Sequence, residues 1–258
     1  MNYIRHIYSI SGYTFLEAKN VNLFFILFIS LICIFGLTEF IGELAVTETK
    51  QVQGSILALL LRLFSIFMIV IYVLTSMSRE FNDKTFEFIL ALPVPRYVYY
   101  YGKCSGYLVI AVITALVTTL PLFIYIDIYQ VILWYVSLVC ELIIVLTFCL
   151  LCVFTFSHIT TSFFIVTGFY VLARSINAIQ LMSNSPILYS DSGAQEFIRF
   201  IIDLIAFLLP KLDQFTKTEW LVYNEGGFQD IIPVLVQTVI YSGILITAAL
   251  FDLYRKNY

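Results

Sequence analysis

The stretch NLFFILFISLICIFGLTEFI, residues 22–41, decides the fold. A helix needs about 20 mostly apolar residues to cross the roughly 30 Å hydrocarbon core of a bilayer, and this run has that length. The helical form also satisfies the backbone hydrogen bonds of such a segment where no water is present. The first predicted element is therefore a transmembrane helix.

Five further apolar blocks of comparable length follow along the chain. They cover residues 55–77, 105–126, 131–156, 162–181 and 232–253. Residues 1–21 mix polar and apolar side chains and predict a cytoplasmic interfacial helix, and residues 182–231 form a segment on the outer side. The sequence thus predicts an all-α integral membrane protein with six transmembrane helices in a single domain, residues 1–258.

The composition excludes a water-soluble fold and several function classes. Hydrophobic residues make up 61% of the chain and charged residues 12%, and the mean hydropathy is +0.95. The net charge of -3 gives no basic excess, so no nucleic-acid binding is expected. Four of the five cysteines lie in apolar blocks, and the pair Cys149 and Cys152 has no second pair or nearby histidine. Core packing is favoured over a metal site or a disulfide framework.

The distribution of basic residues predicts the orientation. Six spans place both termini on one side of the membrane, and basic residues concentrate on the cytoplasmic side. Eight of the 14 basic residues would then be cytoplasmic: Arg5, Lys19, Arg79, Lys84, Arg96, Lys103, Arg255 and Lys256. We expect a multi-pass protein of a bacterial cytoplasmic (inner) membrane with both termini inside.

The outer segment contains an amphipathic stretch, EFIRFIIDLIAFLL, residues 196–209. Glu196, Arg199 and Asp203 fall at spacings of three and four, which places them on one helical face. Pro210 is expected to end the helix because it cannot continue the backbone hydrogen bonds. At roughly 1.5 Å per residue the helix is about 21 Å long, too short for a seventh span. It is predicted to be interfacial or re-entrant, as a packed surface helix or as a functional lid.

The loop between the second and third spans carries the densest inner charge cluster, in SREFNDKTFEFILALPVPR, residues 78–96. Glu80 and Lys84 have the favourable i,i+4 order, and Glu87 lies on the same face. Phe88 and Leu92 contribute to an apolar stripe that would end before Pro93. On physical grounds alone, a solvated loop with anchors at the membrane surface would suffice.

The longer stretch SREFNDKTFEFILALPVPRYVYYYGK, residues 78–103, resembles the loop motif of the type-2 family of ABC-transporter permeases. The matching positions are Arg79, Glu80, Thr85, Glu87, Leu90, Leu92, Pro93, Arg96, Gly102 and Lys103. Lys84, where a glycine is usual, and Phe86 depart from the pattern. The stretch LPKLDQF, residues 209–215, is similar to the Pro-x-x-Asp-x-Phe element before the last span of such permeases.

The resemblance implies that the loop is a coupling helix docked on a separate ATPase subunit. The expected contact residues are Arg79, Glu80, Lys84, Thr85, Glu87, Phe88, Leu92, Pro93, Arg96 and, in a smaller inner loop, His158. The expected assembly has two ATPase subunits and two permeases, as a homodimer or a related heterodimer, among membrane lipids and with room for an outer accessory protein. The chain lacks a GxxxxGK[ST] loop, so ATP and Mg are expected on the partner and no cofactor here.

Three ionisable residues lie inside the apolar blocks: Arg62, Glu141 and Arg174. Facing lipid, each would cost on the order of 2.5 to 3.5 kcal/mol, so they are predicted to meet inside the bundle at similar depth. Two interpretations remain open at this stage. The carboxylate neutralises an arginine to stabilise the bundle, or the group lines or gates a substrate path.

The expected function is that of an exporter subunit with no enzymatic activity of its own, and its cargo is not determined. A membrane enzyme and a scaffold or channel without energy coupling are the alternatives. The enzyme alternative suffers from the scarcity of histidine, since only His6 and His158 occur and there is no HExxH or GxSxG motif.

Overall fold

The computed structural model describes residues 2–44, 49–83, 95–156, 158–184 and 193–255. These residues form nine α-helices and two short 3-10 helices, with no strand among them. The α-helices are α1 (Asn2–Asn20), α2 (Leu23–Leu44), α3 (Thr49–Asn82), α4 (Arg96–Thr119), α5 (Ile128–Thr155), α6 (Ile159–Asn184), α7 (Gly193–Leu208), α8 (Thr218–Tyr223) and α9 (Phe228–Arg255). The 3-10 helices are Leu120–Ile124 and Leu212–Gln214.

Six of these helices are long and apolar enough to cross a membrane: α2, α3, α4, α5, α6 and α9. The mean hydropathy of their most apolar windows runs from 1.4 to 2.8. The predicted number of helices of membrane-spanning length and hydropathy is therefore confirmed for the part of the chain that is described. Several helices extend beyond the predicted blocks, because backbone hydrogen bonds continue past the last apolar residue. The extension of α3 to Asn82 places Glu80 on this helix.

Helix α5 is the centre of the bundle and packs against α3, α4, α6 and α9. In its most apolar window 72% of the residues are buried, against 17% in α2 and in α9. The two peripheral helices keep large apolar side chains such as Phe28 and Val239 exposed. In a membrane those side chains would meet lipid, which is as apolar as they are.

Helix α1 crosses α4 at two glycines spaced four residues apart. A Cβ atom on Gly102 would lie 2.8 Å from the Cβ of Ile10, and one on Gly106 would lie 2.8 Å from the Cβ of Thr14. Small residues at this spacing allow two helix backbones to approach closely. The crossing defines the terminal end of the bundle, where the last turn of α9 also lies, since Arg96 Nη1 donates to the Leu253 carbonyl at 2.8 Å. We call the opposite end the distal end.

Helix α7 runs back along the last turns of α6. Arg199 Nε donates to the Ser183 carbonyl at 3.1 Å, and Gln180 Nε2 donates to Asp203 Oδ1 at 2.7 Å. Because later residues of α7 meet earlier residues of α6, the two helices are antiparallel. The predicted charged face thus packs on α6, while the apolar face is exposed, with Phe207 at 88%. The side chain of Glu196 lies outside the described residues.

The chain after α7 forms a loop, residues 209–217, which we call the re-entrant loop. Helix α7 ends at Leu208, immediately before this loop, and Pro210 is buried within it, in agreement with its predicted role as the end of the helix. The loop continues along α6, since Asn177 Nδ2 donates to Asp213 Oδ2 at 2.7 Å. Its residues Leu212, Phe215 and Thr216 have no exposed surface. The segment similar to Pro-x-x-Asp-x-Phe is therefore part of the interior.

Candidate functional site

The charges predicted inside the spans lie around the re-entrant loop. Glu141 of α5 has no exposed surface, and Arg62 of α3 is 8% exposed. Arg174 of α6 has a side chain that is 23% exposed, and its Nη1 lies 3.5 Å from Glu141 Oε1. The structure thus brings Glu141 and Arg174 into direct contact. Arg62 lies within ion-pair distance of no described carboxylate. It contacts the group through the carbonyl oxygen of Thr216 and through Tyr170.

The Glu141 carboxylate is satisfied on both oxygens. Oε1 accepts a hydrogen bond from the Tyr170 hydroxyl at 3.1 Å as well as from Arg174. Oε2 accepts one from Thr216 Oγ1 at 2.8 Å. A fully buried carboxylate requires such partners, because an ionised carboxylate that is buried without them carries a large, uncompensated desolvation cost. Glu141 therefore holds together α5, α6 and the re-entrant loop.

Arg174 binds the main chain of the re-entrant loop. Its Nη1 donates to the carbonyl oxygens of Leu212 and Phe215, the second at 2.9 Å, and faces Thr216 Oγ1 at 3.3 Å. Carbonyl groups of an irregular segment inside a membrane bundle need donors that a helix would otherwise supply. The guanidinium supplies them here, so Arg174 fixes both the carboxylate and the loop.

Arg62 approaches the loop from the other side. Its Nη1 donates to the Thr216 carbonyl at 3.4 Å, and Tyr170 is a further hydrogen-bonding neighbour of the guanidinium. The Nε atom is buried and has no hydrogen-bond partner. Both neighbours of Arg62 present neutral oxygens, so the positive charge has no direct counter-ion within the described residues.

Thr216 is the residue on which these contacts converge. Its φ of 45° lies in the left-handed region, which a β-branched residue rarely adopts. The backbone N–H donates to Ser137 Oγ at 2.8 Å, which fixes the conformation together with the bonds to Glu141 and Arg62. Sequence reasoning missed Thr216, Tyr170 and Ser137. Two of them carried a local signal, since Thr216 directly follows the Pro-x-x-Asp-x-Phe element and Tyr170 lies one helical turn before Arg174.

A second polar network lies at the terminal end. Lys103 is 1% exposed and pairs with Glu80 Oε1, while the Tyr99 hydroxyl donates to Glu80 Oε2 at 2.5 Å. Glu17 of α1 approaches the same ammonium group at 3.8 Å and accepts a hydrogen bond from Ser76 Oγ at 2.9 Å. The Glu80 side chain is therefore buried between α3 and α4, while Lys84 and Glu87, predicted on the same helical face, lie outside the described residues.

The remaining predicted contact residues divide into three groups. Lys84, Thr85, Glu87, Phe88, Leu92 and Pro93 lie outside the described residues. Arg79 and His158 are exposed at the terminal end. Arg96 instead donates to the Leu253 carbonyl, where a basic side chain satisfies the final turn of α9.

A polar pocket of about 160 Å³ opens at the distal end. Lys50, Asp127 and Asn224 are among the residues that line it, together with Tyr125. Burial raises the pKa of the Tyr125 phenol to about 12, and the hydrogen bond to Glu39 and the charge of that carboxylate act in the same direction. The pocket is separated from Arg62 by two turns of α3, since Gly54 borders it and Leu57 and Leu61 between them are fully buried.

Within the described residues no group of three or more histidine, cysteine or acidic side chains could hold a metal ion. All five cysteines are free, and only Cys33 is exposed. The comparison with known proteins adds no family: no model of a protein family matches the chain, and no curated protein matches it.

Proposed function

We propose that this chain is the membrane-spanning permease subunit of an ATP-binding-cassette exporter. Six apolar helices and the resemblance of residues 78–103 and 209–215 to type-2 permeases support this proposal. ATP and Mg would bind to a separate ATPase subunit, present in two copies beside two permeases. The terminal end of the bundle would face the cytoplasm of a bacterial cell, in line with the positive-inside rule.

The observation that carries the proposal is the bond between Glu80 and Lys103. These two motif residues lie on either side of residues 84–94, near the end of α3 and the start of α4. Their buried ion pair joins the two helices where that segment leaves them, and Glu17 adds α1 to the same group. A partner that moved the segment would therefore act on three helices together.

Helix α3 provides a path from this network to the intramembrane charges. It is continuous from Thr49 to Asn82, and Arg62 lies 20 residues before its end, about 30 Å at 1.5 Å per residue. A rigid helix transmits displacement over such a distance without an additional device. Movement at the terminal end would thus reach the Thr216 carbonyl, which Arg62 contacts.

The test uses the complete chain, affinity-purified from its native membrane in a mild detergent. We expect a co-purifying subunit that carries a phosphate-binding loop and hydrolyses ATP. The double reversal Lys84→Glu with Glu87→Lys keeps the net charge and should reduce recovery of that subunit at least about tenfold, since like charges placed against each other at an interface cost several kcal/mol.

The matched control is Glu225→Lys, an exposed reversal at the distal end that should leave recovery unchanged. Glu80→Lys is unsuitable, because it would place a second cation beside buried Lys103 and unfold the region. Full recovery of the ATPase with the double reversal would contradict the assigned contact. The absence of any ATPase from the unmodified preparation would contradict the proposed function.

A further inference from the structure

The arginines around the re-entrant loop point to a binding site for an anion. We propose that Arg62 and Arg174 bind the phosphate or carboxylate group of an amphipathic ligand, and that the re-entrant loop occupies this site in the present conformation. The inference rests on the proposed function in one respect only, namely that the anion belongs to a transported substrate.

The charge balance around the loop is the first argument. The charged groups that contact it are Arg62 from α3, Glu141 from α5 and Arg174 from α6, and the loop itself carries Asp213 and two partly exposed lysines, Lys211 and Lys217. Glu141 pairs with Arg174, and Asp213 accepts its hydrogen bond from Asn177. Neither carboxylate lies within 4.0 Å of the Arg62 guanidinium. Arg62 is therefore a buried cation without a counter-ion contact, and such charges usually mark a functional path.

The unused donor of Arg62 is the second argument. The Nε atom is buried without a partner, Nη1 donates a long bond of 3.4 Å to the Thr216 carbonyl, and Tyr170 is the other, uncharged neighbour. A guanidinium offers donors in a planar fork that matches carboxylate and phosphate geometry. An anion beside Arg62 would satisfy Nε and supply the missing negative charge at the same time.

The loop contacts are the third argument, because the loop presents neutral oxygens where an anion would bind. Arg174 donates hydrogen bonds to the carbonyl oxygens of Leu212 and Phe215, and Arg62 donates one to that of Thr216. Hydrogen bonds to an ionised acceptor are roughly twice as strong as those to a neutral one. The three carbonyl groups therefore take the place of an anion, but their hydrogen bonds to the arginines are weaker than those an anion would accept.

Strain in Thr216 makes the loop displaceable. Its left-handed backbone, with φ of 45°, is costly for a threonine and is held by the hydrogen bonds that Thr216 donates to Ser137 and Glu141 and accepts from Arg62. Departure of the loop would release this strain and expose both guanidinium groups. Access exists on the α6 side, where the Arg174 side chain is 23% exposed, and the neighbouring helix α7 keeps its apolar face exposed. A ligand with an anionic head and apolar tail suits this setting.

The purified full-length chain can be tested without its ATPase. Buried Cys104, Cys140, Cys149 and Cys152 become reactive on unfolding, so a thiol-reactive fluorophore reports the thermal midpoint. The two probes are phosphatidylglycerol in phosphatidylcholine micelles, compared with phosphatidylcholine alone, and inorganic phosphate, compared with chloride at equal ionic strength. At saturation we expect at least one probe to raise the midpoint by about 3 °C or more. The responding probe identifies a lipid headgroup or a free anion as the source.

Variants separate a built site from general lipid effects. Arg62→Gln should abolish the rise, and Arg62→Lys should reduce it, because the charge remains but the fork is lost. Glu141→Gln should lower the starting midpoint yet enlarge the rise, since it removes the competing carboxylate. Arg199→Gln, a surface arginine on α7, is the control and should keep the full rise.

The proposal is overturned if the unmodified chain responds to neither probe, or if Arg62→Gln keeps the full rise. If Arg62→Gln does not fold, an undiminished rise in Arg62→Lys overturns it. These outcomes are independent of the ATPase. If the chain binds an anion but has no ATPase partner, the transporter function is refuted and the anion site stands. If it has an ATPase partner but binds no anion, the anion site is refuted and the transporter function stands.

Discussion

The buried pair of Glu141 and Arg174 gives the sharpest prediction for stability. Glu141→Gln keeps the shape of the side chain but removes its charge, which leaves the half-buried Arg174 facing only neutral oxygens. Removing one partner of a buried pair costs about 3–5 kcal/mol. We expect the lower end, about 3 kcal/mol, because the 3.5 Å contact is long and Arg174 retains the carbonyls of Leu212 and Phe215.

Double-variant cycles with Arg174 and with Arg62 distinguish direct from indirect coupling to Glu141. Arg174→Gln alone should also cost about 3 kcal/mol or more, since it strands both the carboxylate and the loop carbonyls. The double variant with Glu141→Gln should cost less than the sum of the single losses, with a coupling free energy of about 1–3 kcal/mol. The same cycle with Arg62→Gln should give only about 0.5 kcal/mol, because Arg62 reaches Glu141 through Thr216 and Tyr170.

The measurement is the free energy of unfolding in mixed micelles, titrated with a denaturing detergent and followed by circular dichroism. Arg199→Gln combined with Glu141→Gln is the control cycle, and its losses should add. Additive losses for Glu141 and Arg174 would mean that the contact contributes nothing. A larger coupling for Arg62 than for Arg174 would mean that the carboxylate prefers the other arginine in solution.

Three further changes test the terminal end of the bundle. Gly106→Val should weaken the packing of α1 by about 1–3 kcal/mol through overpacking, and proteolytic release of α1 is the readout. Gly168→Val is the control, because a Cβ at Gly168 meets nothing within 4 Å and should not disturb packing. Lys103→Met should destabilise the chain by about 3 kcal/mol because it strands buried Glu80, and adding Glu80→Gln should restore part of that loss in the same unfolding titration. Arg96→Ala should cost about 1 kcal/mol and speed amide hydrogen exchange in the last turn of α9, and unchanged exchange would argue against the cap.

The sequence by itself determined the spans and the amphipathic helix. A transmembrane helix satisfies its hydrogen bonds within one segment, so length and apolar content are sufficient to find it. Helix α7 is also predictable from local sequence, because Arg199 and Asp203 recur at helical spacing and Pro210 ends the run. Helix α3 continues past its apolar block to Asn82 and α4 begins before its block at Arg96, since polar residues such as Glu80 and Lys103 extend these helices.

Only the tertiary structure decided which charges meet. The Glu141 carboxylate bonds a hydroxyl 75 residues away, and Glu80 bonds a lysine 23 residues away on the next helix. These contacts depend on the rotation of each helix about its axis and on the path of an irregular loop, which local spacing does not specify. The left-handed Thr216 exists because partners on three helices hold it there, and the residue alone would avoid that conformation.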